Sequence, residues 1–133
     1  MSPQLYIKNV KGKGRGVFCK QPIAKDEIFE TAPVIVLPAK DHTTATASGL
    51  CDYFFNFNKE EGTLALVLGY GSLYNHAVQS NAAYSLDRIS KTMQYYALEN
   101  IQPGTEICIN YSGERGQEFK EWFESRNINY KGM

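Results

Sequence analysis

With 133 residues, 43% hydrophobic and 21% charged, the chain has the size and composition of one folded domain, with no room for a second independent core. Fourteen Lys and Arg balance fourteen Asp and Glu. That balance argues against an overall field that would hold the chain on nucleic acid or an anionic membrane, so direct contact with either is not expected.

Met1-Ser-Pro-Gln-Leu5 lacks a basic stretch followed by an apolar run, so no secretory signal is read there and an intracellular location is expected. Gln4 to Val10 reads as a short strand. Lys11 to Gly16 follows as a loop whose glycines permit positive φ and close backbone approach. Val17 to Cys19 resumes extended structure, Pro22 and Lys25-Asp26 mark a turn, and the Ile-, Val- and Thr-rich Glu27 to Leu37 reads as one or two strands. The longest apolar run, Ala32 to Ala39, is broken by Pro33 and Pro38 and is too short to span a bilayer. Asp41 to Gly49 reads as a surface connection, and Leu50 to Phe57 as either strand or short helix. Leu64 to Leu68 is a strand ending in the tight turn Gly69-Tyr-Gly71. Ala82 to Asp87 and Met93 to Glu99 read as a hairpin across Arg88 to Lys91, and Ile107, Ile109 and Tyr111 alternate along a final strand. Gln117 to Arg126 places Phe119, Trp122 and Phe123 at i, i+3 and i+4, the stripe of an amphipathic helix. The fold class is therefore mainly β. The widely separated Cys19, Cys51 and Cys108 show no CxxC spacing, so each reads as a small buried hydrophobe rather than a disulfide or zinc ligand.

Three segments carry candidate chemistry, each with an ordinary reading beside it. Gly12-x-Gly14-x-Gly16 offers backbone N–H groups to an anion, or is simply a hairpin loop. No helix follows it, as a dinucleotide site would need, and no Gly-Lys-Ser/Thr follows, as a P-loop would need. Asn75-His76, after the glycine turn, is a polar anchor for a heteroaromatic ligand or a hydrogen-bonded turn. With His42 as the second imidazole, in a loop, no metal site is expected. A Ser72–His76–Asp87 triad is disfavoured because no GxSxG elbow exists. Asn110-Tyr111 ends an apolar strand and either projects a hydroxyl into a site or is a surface tyrosine.

Taken in order, the three segments resemble the SET domain over residues 5 to 113. Gly14-Arg15-Gly16-Val17-Phe18 is similar to that family's first glycine motif. Tyr74-Asn75-His76, with Asn81 five residues beyond His76, is similar to its Asn-His-Ser-x-x-Pro-Asn motif. Tyr95-Tyr96-Ala97-Leu98 through Ile101, Pro103-Gly104, Glu106-Ile107 and Tyr111 is similar to the segment that ends in its catalytic tyrosine. Ala77 and Ser80 replace the usual Ser and Pro, Asn110 replaces a common Asp, and the cysteine-rich segment that often follows the core is absent.

The resemblance implies one SET domain over 1–133: several small sheets, a pseudoknot-like C-terminal crossing, and an aromatic helix near 114–127 that closes the lysine channel. It implies S-adenosylmethionine as cofactor, held by Lys13, Gly14, Arg15, Gly16, Tyr74, Asn75 and His76, with Trp122 either stacked on adenine or in the core. It implies Tyr111 as the catalytic residue, and Tyr53, Phe55 and Tyr70, with Tyr111, as walls of the substrate channel. The implied reaction is methylation of a lysine on a protein tail bound as an added strand, histone tails first among targets and nuclear location following for a eukaryotic histone. A non-histone target, a non-catalytic peptide-binding module and a homodimer are the other readings that the resemblance leaves open.

Overall fold

In the computed structural model, residues 4–50, 53–113 and 115–116 are described. They form nine strands among the described residues, and two of them, Ile28–Leu37 and Thr92–Ala97, show period-two alternation of buried side chains. These are β1 (Leu5–Val10), β2 (Gly14–Cys19), β3 (Ile28–Leu37), β4 (Phe54–Asn58), β5 (Thr63–Val67), β6 (Asn75–His76), β7 (Ala82–Asp87), β8 (Thr92–Ala97) and β9 (Glu106–Ile109). The mainly β class, expected from the sequence, holds. No described helix is long and apolar enough to cross a membrane.

The strands form two sheets, one in the order β1-β2-β9-β6 and the other β4-β5-β3-β8-β7. The expected hairpin is present: β7 and β8 pair antiparallel from Ala82↔Ala97 to Asp87↔Thr92. Elsewhere the elements differ from their sequence reading. The glycine loop is shorter than expected, because Gly14 and Gly16 already belong to β2, paired with Val10 and Lys8. Only residues 11–13 turn, with Gly12 at φ 80°. Asp41 to Gly49 is not purely a connection. A 3-10 turn at Ala39–Asp41 runs into the short helix α1 (His42–Thr46), whose Ala45 is buried. The ambiguous Leu50–Phe57 segment contributes strand β4. The helix expected from Gln117 to Arg126 lies outside the described residues.

The largest departure is Asn75–His76, expected as a turn. It is a two-residue strand lying parallel to β9, with Asn75↔Cys108 and His76↔Ile109. Parallel neighbours require a crossover, and here the crossover is the β7–β8 hairpin, which belongs to the other sheet. The strands are thereby sewn together around one core that includes Val17, Ile23, Met93, Tyr95, Ile107 and Ile109. Beyond β9 the chain crosses residues 77–80. Asn110 Nδ2 and the Gly116 N–H both donate to the Val78 carbonyl, at 3.2 and 2.7 Å, and Arg115 Nε donates to the Ser80 carbonyl at 2.8 Å.

Asn81 fixes β9 from the side. Its Nδ2 donates to the Glu106 carbonyl and its Oδ1 accepts from the Cys108 N–H, both at 2.9 Å, so one side-chain amide completes the ladder as a neighbouring strand would. Replacing Asn81 with Ala leaves two partly buried backbone groups without that partner. We expect Asn81→Ala to lower the unfolding free energy by about 1–3 kcal/mol in urea titrations.

Candidate functional site

Because β9 lies between β2 and β6, the ends of three strands converge. Asn75 Nδ2 donates to the Arg15 carbonyl at 3.1 Å, joining β6 to β2. The same amide donates to Glu106 Oε2 at 2.7 Å, joining β6 to β9. The Tyr111 N–H donates to His76 Nδ1 at 3.0 Å, and the Tyr111 hydroxyl donates to the Tyr74 carbonyl at 2.9 Å. The three segments singled out in the sequence thus meet at one place.

Two cavities flank this junction. One, of about 370 Å³, has walls that include Asn9, Lys13, Gly14, Arg15, Leu73 and Asn75. The other, also of about 370 Å³, is largely aromatic, with Phe54, Phe55, Tyr74, Tyr84, Leu86 and Met93 among its walls. Tyr53, Ser72 and Tyr111 line both. The volumes fall in the range of small-ligand pockets.

The polar cavity carries two cationic side chains, Lys13 and Arg15, on its wall. Lys13 Nζ stands 3.8 Å from Glu106 Oε1, with both side chains 17% exposed. Backbone comes close because glycines let it. Gly14 sits at φ 79°, and a Cβ on Gly16 would strike the Glu106 carboxylate and approach Asn75 Nδ2 to 3.1 Å.

His76 is buried at 2% exposure behind this wall. Burial first, and then the nearby Lys13 charge, push its pKa down to about 4, so the imidazole is neutral and accepts from the Tyr111 N–H at Nδ1. Cys108, buried in β9, has its thiol pushed up to about 12 by burial and by Glu106, and the Cys19 thiol is also raised by burial. Both are poor nucleophiles.

Of the residues proposed from the sequence, Lys13, Gly14, Arg15, Asn75 and Tyr111 line the polar cavity, Tyr53, Phe55, Tyr74 and Tyr111 the aromatic one. Gly16 and His76 are buried beside them. Tyr70 is placed elsewhere. It lines neither cavity, and its hydroxyl donates to the Leu5 carbonyl at 3.3 Å. A turn residue after β5 is directed by the turn, and its neighbours Gly71 and Ser72 face the site instead. Trp122 lies outside the described residues.

Two contributors went unread. Tyr84 packs edge-on against Phe55 with ring centroids 5.2 Å apart, and its hydroxyl donates to the Tyr111 carbonyl at 3.4 Å. Alternation along Ala82, Tyr84 and Leu86 was the signal that places it inward. Glu106 was read only as part of a strand, yet it receives Asn75 and faces Lys13.

A family model of the SET domain matches residues 14–112. The histone-lysine N-methyltransferase of Schizosaccharomyces pombe described as specific for H3 lysine-37 is 31% identical over 121 residues, which are 90% of this chain and 77% of that one. A Plasmodium falciparum crystal structure described as that of a histone methyltransferase superposes with a TM-score of 0.66 at 32% identity, over 84% of this chain and 99% of that chain. Polycomb repressive complex 2 of Chaetomium thermophilum, in an autoinhibited conformation bound to S-adenosylmethionine, contains a similar fold, with TM-score 0.69 and 15% identity over 96% of this chain and 17% of that chain. At that identity the likeness concerns the fold alone.

The depressed His76 pKa has a signed consequence. The folded state holds the imidazole neutral while the unfolded chain titrates near its ordinary 6.5. This contribution to stability is complete above pH 6.5 and is lost as pH falls toward 4. Against pH 7, we expect the loss at pH 5 to be about 2 kcal/mol in chemical denaturation. His76→Asn keeps an acceptor near the Nδ1 position, and should abolish this part of the pH dependence.

Proposed function

This chain belongs to the SET domain family, and on that premise we propose that it is an S-adenosylmethionine-dependent protein-lysine N-methyltransferase acting on a histone or histone-like tail. The observation that carries the reading is Tyr111, which lines the polar and the aromatic cavity at once and whose hydroxyl is tied to the backbone between them. A transfer between two ligands that approach from different sides needs such a shared wall.

When bound, S-adenosylmethionine supplies an electrophilic methyl group on a sulfonium. Lys13, Gly14, Arg15, Gly16, Asn75 and His76 would hold it: Lys13 by charge, the glycines by admitting close backbone, Asn75 and His76 by keeping that wall in register; Tyr74, which the resemblance put with the cofactor, lines the aromatic cavity instead. The aromatic cavity takes the lysine side chain. A lysine in water, with a pKa near ~10.4, is almost wholly protonated at neutral pH and has no lone pair to attack with. Walls such as Phe55, Tyr84 and Met93 withhold solvation from the ammonium and so favour the neutral amine. Tyr53 and Tyr111, common to both cavities, align the amine with the methyl carbon, and alignment is the main requirement of an in-line displacement.

Tyr111 has a definite polarity here. Its hydroxyl proton is engaged by the Tyr74 carbonyl, so the oxygen turns lone-pair density, not a proton, toward the reacting atoms. It orients the donor groups of the amine.

The reading is tested by incubating the protein with S-adenosylmethionine and recombinant histone H3, then mapping lysine methylation by mass spectrometry. Methylated H3 lysine supports it. Cofactor binding without H3 methylation, but with label transferred to another protein, moves the target away from histones. No transfer to either overturns the enzymatic reading. Tyr111→Phe should lower kcat on the order of a hundredfold or more while the calorimetric Kd for S-adenosylmethionine stays within about twofold.

A further inference from the structure

One half-buried carboxylate takes no part in the chemistry above. Glu30, on β3, lies beneath the turn that follows β5, and its two oxygens are used separately. Oε2 accepts from the Tyr70 backbone N–H at 2.9 Å, and Oε1 accepts from the Tyr74 hydroxyl at 2.6 Å. Tyr70 and Tyr74 are the first and last residues of one short stretch. Between them, the Gly71 carbonyl accepts from the buried Tyr95 hydroxyl at 2.9 Å. This stretch supplies Gly71, Ser72, Leu73 and Tyr74 to the two cavities, and the Tyr74 carbonyl is the group that receives the Tyr111 hydroxyl.

The surroundings leave the carboxylate little freedom. Gly69, at φ 62°, has no side chain, and a Cβ there would collide with Glu30 Oε2. A Cβ on Gly71 would collide with the Val67 side chain and come within 2.9 Å of Tyr95 Oη. The Gly69-Tyr-Gly71 pattern is therefore the space in which the carboxylate and the Tyr95 phenol reach the backbone. The Tyr74 ring, tilted against Tyr95 at 4.6 Å between centroids and edge-on to Phe29 at 6.0 Å, cannot swing away without opening the core.

We propose that Glu30 is a positioning residue: it clamps both ends of residues 70–74 and so holds the Tyr74 carbonyl where it engages the Tyr111 hydroxyl proton. This rests on the methyl-transfer reading of the site. Released from Glu30, Tyr74 loses the anchor at the tip of its ring. Its carbonyl then drifts, and Tyr111 is free to turn its proton toward the amine whose lone pair must stay available. Glu30 itself lines neither cavity and meets no reacting atom, so its effect travels through the two residues it holds, Tyr70 and Tyr74.

The test uses Glu30→Gln and Tyr74→Phe, singly and together, in the full chain. Each single variant should lose about tenfold to a hundredfold in kcat, with the Kd for S-adenosylmethionine within about twofold. The double variant should be no slower than the worse single one, because both changes cut the same link. A crystal structure of Tyr74→Phe should show the Tyr111 hydroxyl displaced from the residue 74 carbonyl. A folded Tyr74→Phe that keeps full kcat, or keeps the hydroxyl on that carbonyl, overturns the proposal, as does multiplication of the two losses in the double variant. If Glu30→Gln does not fold, Tyr74→Phe alone decides, since its ring still fills the core. If the unsubstituted protein methylates nothing, the functional reading has failed, and the crystallographic comparison still judges the clamp.

Discussion

Everything at the candidate site depends on a pairing of only two residues, Asn75 and His76 beside Cys108 and Ile109 in parallel register. That pairing puts the Asn75 amide against both the Arg15 carbonyl and Glu106, and sets the His76 imidazole under the Tyr111 N–H. So short a strand has little cohesion of its own. It is held by what surrounds it: β9 is flanked on its other edge by β2, completed by the Asn81 amide, and crossed beyond Ile109 by hydrogen bonds to residues 78 and 80. The apolar core supplies cohesion, and buried and half-buried polar side chains supply the register.

These buried and half-buried polar groups sort into two tasks. Asn81 and His76 satisfy backbone donors that would otherwise lie unpaired next to β9, and burial of an unpaired donor is costly. Glu30, Tyr74 and Tyr95 instead fix a turn that has no ladder of its own. Burial raises the pKa of the Glu30 carboxyl, while its two donors pull the other way. Burial also raises those of the Tyr74 and Tyr95 phenols, so both stay protonated and able to donate. The wall between the cavities is thus made rigid by side chains that take no part in the transfer.

Much of the architecture was legible in the sequence, for identifiable reasons. Ile, Val and Thr content marked β3, a short apolar run β5, two segments about one turn β7 and β8, and alternation β9, whose tyrosine could be picked out because a polar aromatic followed Ile107 and Ile109. The Asn75–His76 strand could not be read that way: two residues have no period, and their strand character comes from a partner thirty-odd positions away in register with them. The glycine loop looked longer than it is because glycine signals a turn on average, whereas Gly16 is a strand residue kept small by Glu106 and Val10. Tyr70 was attractive as an aromatic next to glycines, but turn geometry sends its hydroxyl to Leu5. Glu30 was hidden in plain sight. Alternation with Ala32 and Val34 faces it inward, but the β3–β8 register shift at Ile28/Glu30 buries Phe29 too, and a carboxylate between apolar neighbours reads as a strand's polar edge.

The central place of β9 also dictates when the molecule can work. As a ribosome makes the chain from its amino end, β2 and β6 emerge before the strand that separates them. A nascent chain halted before Glu106 has the glycine segment and the Asn–His pair but lacks the strand that pairs with both. Helix-rich proteins fold largely by local contacts, but here the decisive contacts are distant in sequence and slow to form. Interrupted synthesis therefore yields no half-competent enzyme. Such a fragment exposes the unpaired edges of β2 and β6, the kind of surface that chaperones and proteases recognise.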